Sequence, residues 1–243
     1  MWAETFKSHE DKKPFGPAAI SLDISFADFQ HVYGIPEHAT SLALKSTKGS
    51  EPYRLYNLDV FEYELDNPMA LYGSIPFMTA HSAKHTVGVF WLNAAEMFVD
   101  VDVIAGSSGF MGIGSSSERV DTHWIAETGI VDAYFFFGPT PQKVIQQYTA
   151  LTGTTALPQS FAIAYHQCRW NYNDEADVAA VDAGFDEHDI PYDVLWLDIE
   201  HTEEKKYFTW DKIKFPNPVA MQEAIAAKHR KVSGRKLDMK LER

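Results

Sequence analysis

Two carboxylates stand close together in the stretch Asp193–His201, which has the pattern of a buried strand that ends in polar residues. Asp198 and Glu200 are two positions apart, and on a strand such residues point to the same side of the sheet. Retaining hydrolysis of a glycosidic bond uses two carboxyl groups about 5 to 5.5 Å apart, one as nucleophile and one as acid/base. Asp198 and Glu200 are the one pair that the residues alone offer for this chemistry.

The residues around this pair predict a strand, a helix and a second strand. The first strand is expected over Tyr165–Tyr172, and the second leads to Asp198. Between them, Asp174–Asp189 carries apolar residues at helical spacing, with Asn173 as the expected N-cap. A helical crossover joins parallel strands, and functional groups of parallel α/β folds collect at the carboxyl ends of the strands. Trp170 and Asp198 both lie at such ends.

The other reactive residue types give weaker signals. His166, His188 and His201 lack the spacing of a zinc site and are expected to be buried or to cap elements. The single cysteine, Cys168, excludes an internal disulfide and is expected to be a packed thiol. Gly106–Ser117 is rich in Gly and Ser, but no helical pattern follows, so a plain loop is expected and not a phosphate cradle. No metal and no cofactor are predicted.

The amino-terminal half predicts an antiparallel β-sandwich. Apolar residues alternate with polar or small ones from Ile20 to Phe26, as in a half-buried strand. Recurrent short strands with little helix are typical of sandwiches. Further strand-like runs, several of them separated by turn signals, are Tyr53–Val60, Ser74–His81, Thr86–Leu92, Met97–Ile104 and Ile130–Phe137.

Composition and charge narrow the class of protein. A chain of 243 residues with 45% hydrophobic content can bury the core of one large or two medium domains. The net charge of −13 argues against nucleic acid as a partner, because phosphate binding needs clustered Lys and Arg. No apolar run reaches the roughly 18 residues of a membrane span. The stretch Met1–Thr5 lacks a secretory signal pattern, so the compartment stays open.

Several longer motifs occur in one order between Trp2 and Lys231. They are His31–His38, Tyr53–Phe61, Tyr72–Pro76, His166–Tyr172, Asp182–Pro191, Trp196–His201 and Tyr207–Asp211. Together these motifs resemble glycoside hydrolase family 31, and within it the neutral α-glucosidases. The resemblance implies an amino-terminal galactose-mutarotase-like β-sandwich, followed by the first strands and helices of a (β/α)8 barrel. It also implies a retaining exo-α-glucosidase that releases terminal α-linked glucose from oligosaccharides without metal or cofactor.

The resemblance also implies which residues bind substrate. It places Asp198 against the glucose hydroxyls and Trp170 in the pocket wall, and it places Asp59 and Phe61 on a sandwich loop that reaches over the pocket. The residues alone leave plainer alternatives open. Asp198 could cap the next loop, Trp170 could pack in a core, and Asp59 could end a strand with Phe61 buried beside it. Trp196 and Glu200 are expected to support the strand end.

Catalytic residues are expected to be absent from this chain. The family's nucleophile lies in a Trp-x-Asp-Met-Asn-Glu motif and its acid/base further on, and neither occurs in the sequence. A complete barrel needs roughly 250 residues, so the barrel is expected to be incomplete, with two strands and a poor third after Arg230. We expect a sandwich over 1–138, a helical linker over 139–160, barrel segments over 161–232 and a divergent basic tail over 233–243. A non-catalytic carbohydrate-binding or unstable truncated product is the alternative function.

Partners and compartment follow from the resemblance alone. It implies an oligosaccharide substrate of the N-glycan or the glycogen and maltose type. It further implies a β subunit as partner, as in glucosidase II. A glucosidase II-like protein with an upstream signal would work in the endoplasmic reticulum, and without one the protein would be cytoplasmic. Neither nucleic acid binding nor membrane insertion is expected.

Overall fold

The computed structural model describes residues 5–6, 9–10, 19–106 and 117–234. The chain divides into two compact units, unit 1 over Met1–Thr154 and unit 2 over Thr155–Arg243. Most of the predicted glycine-rich loop and most of the basic tail lie outside the described residues, so both stay predictions. Within the described ranges, no helix has the length and apolar character needed to cross a bilayer.

Unit 1 is built almost entirely from antiparallel strands. Two four-stranded sheets have the orders β10-β7-β6-β4 and β3-β9-β8-β5, and β1 pairs with β2. The strands β4 and β9 were not predicted from the sequence. In chain order the described strands are β1 Thr5–Phe6, β2 His9–Glu10, β3 Ile20–Ala27, β4 Val32–Gly34, β5 Tyr53–Leu55, β6 Phe77–His81, β7 Thr86–Trp91, β8 Met97–Ile104, β9 Arg119–Ala126 and β10 Ala133–Phe136.

The two sheets of unit 1 share one apolar core. Val99 and Trp124 point into it from one sheet, and Met78 and Val89 point into it from the other. All four side chains are at most 2% exposed, so each sheet turns one face inward. Alternation at period two produces this arrangement, because successive side chains on a strand point to opposite faces. The predicted antiparallel sandwich is therefore confirmed.

One helix, α1 (Pro141–Thr152), packs on the outer face of the β10-β7-β6 sheet. The Thr140 hydroxyl accepts a backbone N–H of the first turn and caps the helix. Buried Val144 contacts Phe90, which points away from the sandwich core. A side chain at Gly88 would place its Cβ only 2.8 Å from Val144 Cγ1. Glycine at this position therefore permits the close approach of helix and strand.

Unit 2 is a parallel sheet with helical crossovers. Its elements are β11 (His166–Gln167), α2 (Glu175–Glu187), β12 (Val194–Leu197), α3 (Pro218–Ala226) and β13 (Lys231–Gly234). The strands pair in the order β11-β12-β13, and both pairings are parallel. Sequential parallel strands joined by helices are the way in which a (β/α)8 barrel is built. The predicted start of a barrel is confirmed, but the expectation of a poor third strand is wrong, because β13 pairs along all of β12.

Local details of unit 2 correct other expectations. The N-cap of α2 is Asp174 and not Asn173, because the Asp174 carboxylate accepts the Asp177 N–H at 2.8 Å. The first strand is short, since regular pairing stops at Gln167. Cys168, just beyond it, is exposed and is not the packed thiol that was expected.

The core of unit 2 lies between β12 and its helices. Leu195 and Leu197 of β12 are nearly fully buried against Val178 of α2 and Met221 and Ile225 of α3. Alternate residues of a strand share one face, so these two leucines form the floor on which both helices pack.

An ionic network around the buried Asp182 ties α2 to the segment before β13. Asp182, only 6% exposed, accepts hydrogen bonds from the Tyr192 hydroxyl, from Lys228 Nζ at 2.6 Å and from Arg230 Nη1 at 2.7 Å. Lys228 and Arg230 also pair with Asp186. Burial by itself would raise the pKa of Asp182, but the three hydrogen bonds outweigh it and lower that pKa. The carboxylate is therefore held in its charged form.

Candidate functional site

Asp198 lies one residue beyond the carboxyl end of β12 and is partly buried. Among the residues that the structure describes, its carboxylate has no hydrogen-bond or ion-pair partner. The expectation that Asp198 and Glu200 share one strand is wrong, because β12 ends at Leu197 and Glu200 lies in a turn. A carboxylate at a strand end with free lone pairs can accept several hydroxyl hydrogen bonds.

Trp170 lies at the same edge of the sheet, in the loop after β11. Its indole Nε1–H donates to Glu200 Oε1 at 3.1 Å, and this contact joins the loops that follow β11 and β12. Lys205 Nζ pairs with the same Glu200 oxygen. Trp170 is 69% exposed, so the alternative that it packs in a core is wrong within unit 2. Glu200 thus links the loops at this edge, and its support of the strand end itself stays a prediction.

The loops at this edge contain unusual backbone conformations. Asn171 has a φ of 83°, and in the loop after β12 Glu204, Lys205 and Phe208 have φ values of 50°, 65° and 62°. Residues other than glycine adopt this left-handed region uncommonly, and such residues concentrate at functional sites. Hydrogen bonds of Thr209 span this part of the loop, since its Oγ1 accepts the Glu203 N–H at 3.0 Å and donates to the Lys206 carbonyl at 2.6 Å.

His201 is a buried residue of the loop after β12, where its ring packs among aromatic side chains. It is 1% exposed, and its ring lies 5.0 Å from that of Trp210 and 6.5 Å from that of Phe215. Neither ring nitrogen has a hydrogen-bond partner within the described part of the chain. Burial lowers the pKa of His201 and outweighs the opposing effect of Asp198 nearby, so the ring is neutral.

The other histidines have structural roles as well. His188 occupies the C-cap of α2, and His166 Nδ1 lies 2.8 Å from the donating Trp196 Nε1. The prediction of buried or capping histidines holds for His188 and His201. In the described ranges, no three or more His, Cys, Asp or Glu side chains form a group that could hold a metal ion.

Asp59 and Phe61 belong to unit 1, on the loop between β5 and β6. Asp59 is exposed and Phe61 is 95% exposed, so the alternative of a strand end with Phe61 in a core is wrong within unit 1. The strand β5 ends at Leu55, five residues earlier than predicted. The Leu58 N–H donates to the Leu71 carbonyl at 2.7 Å and holds the base of the loop. An acidic group and an aromatic ring are thus presented on a fastened loop.

Comparison with known proteins decides the family. Residues 2–100 match the glycosyl hydrolase 31 N-terminal galactose mutarotase-like domain, and residues 155–235 match the glycosyl hydrolases family 31 TIM-barrel domain. This chain belongs to glycoside hydrolase family 31. The family-31 chain thus combines a mutarotase-like sandwich with the first part of the barrel of a glycoside hydrolase.

Its relatives include named α-glucosidases. The chain is 60% identical to the probable glucan 1,3-alpha-glucosidase of Arabidopsis thaliana, over 95% of this chain and 26% of the relative. It is 54% identical to neutral alpha-glucosidase AB of Homo sapiens, over 95% of this chain and 25% of the relative. A crystal structure of the ER glucosidase II complex of catalytic subunit and regulatory-subunit binding domain matches with a TM-score of 0.80 and 52% identity, over 96% of this chain and 26% of that one. The family-31 chain spans about a quarter of the length of these relatives.

Sequence reasoning missed one participant in the site, Lys205. Charge pairs can be predicted on helices, where residues three or four apart are neighbours. Lys205 instead reaches Glu200 across an irregular loop with positive φ angles, and no spacing rule covers such a loop. The adjacent lysines at 205 and 206 indicated positive charge in this loop, but not which carboxylate either side chain would contact.

Proposed function

We propose that this family-31 chain provides substrate-binding residues of a retaining exo-α-glucosidase that acts on terminal α-linked glucose. Asp198, Trp170, Asp59 and Phe61 are the residues proposed to bind the sugar. The chain itself carries neither the nucleophile motif nor the acid/base of the family, so in isolation it is expected to bind and not to hydrolyse. No metal or cofactor takes part in this proposal.

The free carboxylate of Asp198 is the observation that carries the proposal. Carboxylates that serve structure are usually engaged by nearby donors, as Asp182 is by Lys228 and Arg230. Asp198 has no such donor among the described residues, although it lies at the edge where parallel α/β folds bind ligands. An ionised carboxylate makes strong hydrogen bonds to hydroxyls, which a terminal glucose supplies in abundance.

The exposed aromatic rings support the same ligand class. Trp170 and Phe61 each expose most of an aromatic ring to solvent. An aromatic face can pack on the apolar face of a sugar ring while carboxylates accept its hydroxyls.

The names of the relatives support a substrate class, a partner and a compartment. They include a probable glucan 1,3-alpha-glucosidase and an ER glucosidase II complex with a regulatory subunit. We therefore propose an oligosaccharide substrate, a regulatory β subunit as partner and the endoplasmic reticulum as location. Co-purification with the binding domain of that subunit tests the partner, and loss of the complex on dilution to nanomolar concentration would argue against it.

Binding of 1-deoxynojirimycin, a glucose-like iminosugar, to the 243-residue chain tests the proposal by isothermal titration calorimetry. We expect saturable binding, and a loss of about 10-fold or more in Asp198→Asn, since hydrogen bonds to charged groups are worth about 1.5 to 3 kcal/mol. Glu187→Gln is the matched control. It removes an exposed carboxylate at the carboxyl end of α2, and a crossover helix runs antiparallel to its strands, so this end lies away from the site.

Three outcomes distinguish the candidates. Equal binding by wild type and Asp198→Asn contradicts the proposed role of Asp198. A chain without a cooperative thermal transition supports the unstable product instead. Release of p-nitrophenol from p-nitrophenyl α-glucoside by the chain alone contradicts the expectation that it binds without hydrolysis.

A further inference from the structure

We propose that Glu200 is a positioning residue, which fixes the indole of Trp170 through its Nε1–H so that Trp170 meets the sugar with its ring face only. This inference rests on the proposed function and deepens it. It assigns different tasks to the two neighbouring carboxylates, with Asp198 binding hydroxyls and Glu200 orienting an aromatic ring.

The geometry of Trp170 carries the first step. Tryptophan has one hydrogen-bond donor and no acceptor. The Trp170 donor is committed to Glu200 Oε1 at 3.1 Å, although the ring itself is 69% exposed. A sugar at this edge therefore finds an open indole face and no free N–H. Trp170 would favour ligands that offer an apolar ring face and would not hydrogen-bond to individual hydroxyls.

The second step is that Glu200 is itself held. Lys205 Nζ pairs with it, and the Glu200 side chain is 22% exposed against 53% for that of Lys205. The hydrogen bond from Lys205 lowers the pKa of Glu200 and, with that from Trp170, prevails over the opposing effect of burial. Glu200 is therefore a charged acceptor, and a charged acceptor makes a stronger hydrogen bond than a neutral one.

The third step concerns the loop that supplies Lys205. Glu204 and Lys205 both have positive φ, and the Glu203 N–H donates to Thr209 Oγ1 at 3.0 Å across the loop. Side-chain orientation is more tightly restricted when the partner is held than when it is free, because less rotamer entropy remains. The series Lys205, Glu200, Trp170 thus runs from the loop after β12 to the exposed ring.

Four single variants and one double variant of the 243-residue chain test the inference. Glu200→Ala removes the acceptor, Glu200→Gln keeps an acceptor oxygen, and Trp170→Phe keeps a ring but removes the N–H. Glu203→Gln is the control, because it removes a neighbouring exposed carboxylate. We expect Glu200→Ala to weaken binding of 1-deoxynojirimycin about fivefold and Glu200→Gln about twofold or less, the range of one hydrogen bond. In Trp170→Phe, the added Glu200→Ala change should have no further effect.

The indole N–H signal of Trp170 in ¹⁵N NMR spectra is the second readout, assigned by its loss in Trp170→Phe. We expect faster solvent exchange of this proton in Glu200→Ala, and exchange near the wild-type rate in Glu200→Gln and Glu203→Gln. Additive losses in the double variant, or an unchanged exchange rate in Glu200→Ala, would overturn the inference. If wild type binds no iminosugar, the proposed function fails, and the exchange rates alone decide whether Glu200 fixes the ring.

Discussion

In unit 1, two sheets bury a common apolar core, whereas in unit 2 a smaller apolar core is supplemented by an ionic network around the buried carboxylate of Asp182. The fully buried side chains of unit 1 include Trp91, Trp124 and Tyr53. Unit 2 relies in addition on Asp182, whose charge is compensated by Lys228 and Arg230. The stabilisation of an apolar core is the sum of many weak contacts, whereas a buried charge is left uncompensated when one of its partners is removed. Unit 2 should therefore be the more sensitive to single polar changes and to pH.

Backbone strain is also distributed unevenly. Of the nine positive-φ residues other than glycine in the described ranges, six belong to unit 2, which is the shorter unit. Four of these six lie in the loops that follow β11 and β12. These four residues are Asn171, Glu204, Lys205 and Phe208. Unit 1 thus has mostly regular backbone geometry, and most of the left-handed residues of unit 2 lie at the proposed ligand edge.

The largest expected effect is in the apolar core of unit 1. Trp124→Ala should reduce the free energy of unfolding by about 3 to 5 kcal/mol, because it leaves a cavity between the sheets. Hydrogen-exchange mass spectrometry of peptides from β9 measures this loss. Phe98→Ala on the outer face of neighbouring β8 is the control, with an expected loss of under about 1 kcal/mol. Equal losses in the two variants would mean that the sandwich core is not the main source of stability.

In unit 2, Asp182→Ala should cost roughly 3 kcal/mol, since Lys228, Arg230 and Tyr192 lose their shared partner. Exchange of peptides from α2 and β13 measures this effect. Asp186→Ala, which removes the exposed acceptor of the same network, should have a much smaller effect, because exposed ion pairs are screened by solvent. A larger effect for Asp186 than for Asp182 would contradict the view that the buried carboxylate organises the network.

Acid should destabilise unit 2 through His201. Burial lowers its pKa, so the unfolded chain takes up a proton below about pH 6.5 while the folded chain stays neutral. The contribution of neutral His201 to the free energy of unfolding is therefore fully present above about pH 6.5 and is lost as the pH falls below that value. His201→Leu, which has a similar volume and no titrating group, should flatten the pH dependence between pH 7 and 5. Urea unfolding of both forms across that range tests this, and parallel curves would assign the acid response elsewhere.

The smallest expected effect on stability is that of Phe61→Ala. The side chain is 95% exposed, so the melting temperature should stay within the change expected for about 0.5 kcal/mol. Differential scanning fluorimetry measures it. A clear destabilisation would show that Phe61 supports the fold of unit 1 and is not free to serve a ligand.

The periodic features of the fold could be predicted, and the irregular ones could not. Alternation from Ile20 to Phe26 predicted β3, and helical spacing after Asp174 predicted α2. The strand β9 carries the same alternation, with Arg119, Asp121 and His123 outward and Val120, Thr122 and Trp124 buried, so the rule that predicted β3 could also have predicted it. The strand β13 was missed because a short basic stretch gives little apolar signal, although its pairing with β12 supplies the backbone hydrogen bonds.

For the site, position could be predicted better than contacts. Asp198 and Trp170 were placed at strand ends by the apolar runs before them, and the structure has both at one edge of the sheet. Their different surroundings depend on long-range geometry. Glu200 is paired because Lys205 reaches it from an irregular loop, whereas no such residue reaches Asp198 within the described ranges. No local sequence pattern specifies the path of that loop.

The exposure of Cys168 makes the proposed site observable without any substitution. It is the single cysteine of the sequence, its thiol faces solvent, and it stands two residues before Trp170. A maleimide fluorophore would therefore attach at one defined place in the wild-type chain. Quenching of that dye by the neighbouring indole should change when a sugar covers the ring, and this change would report binding in real time.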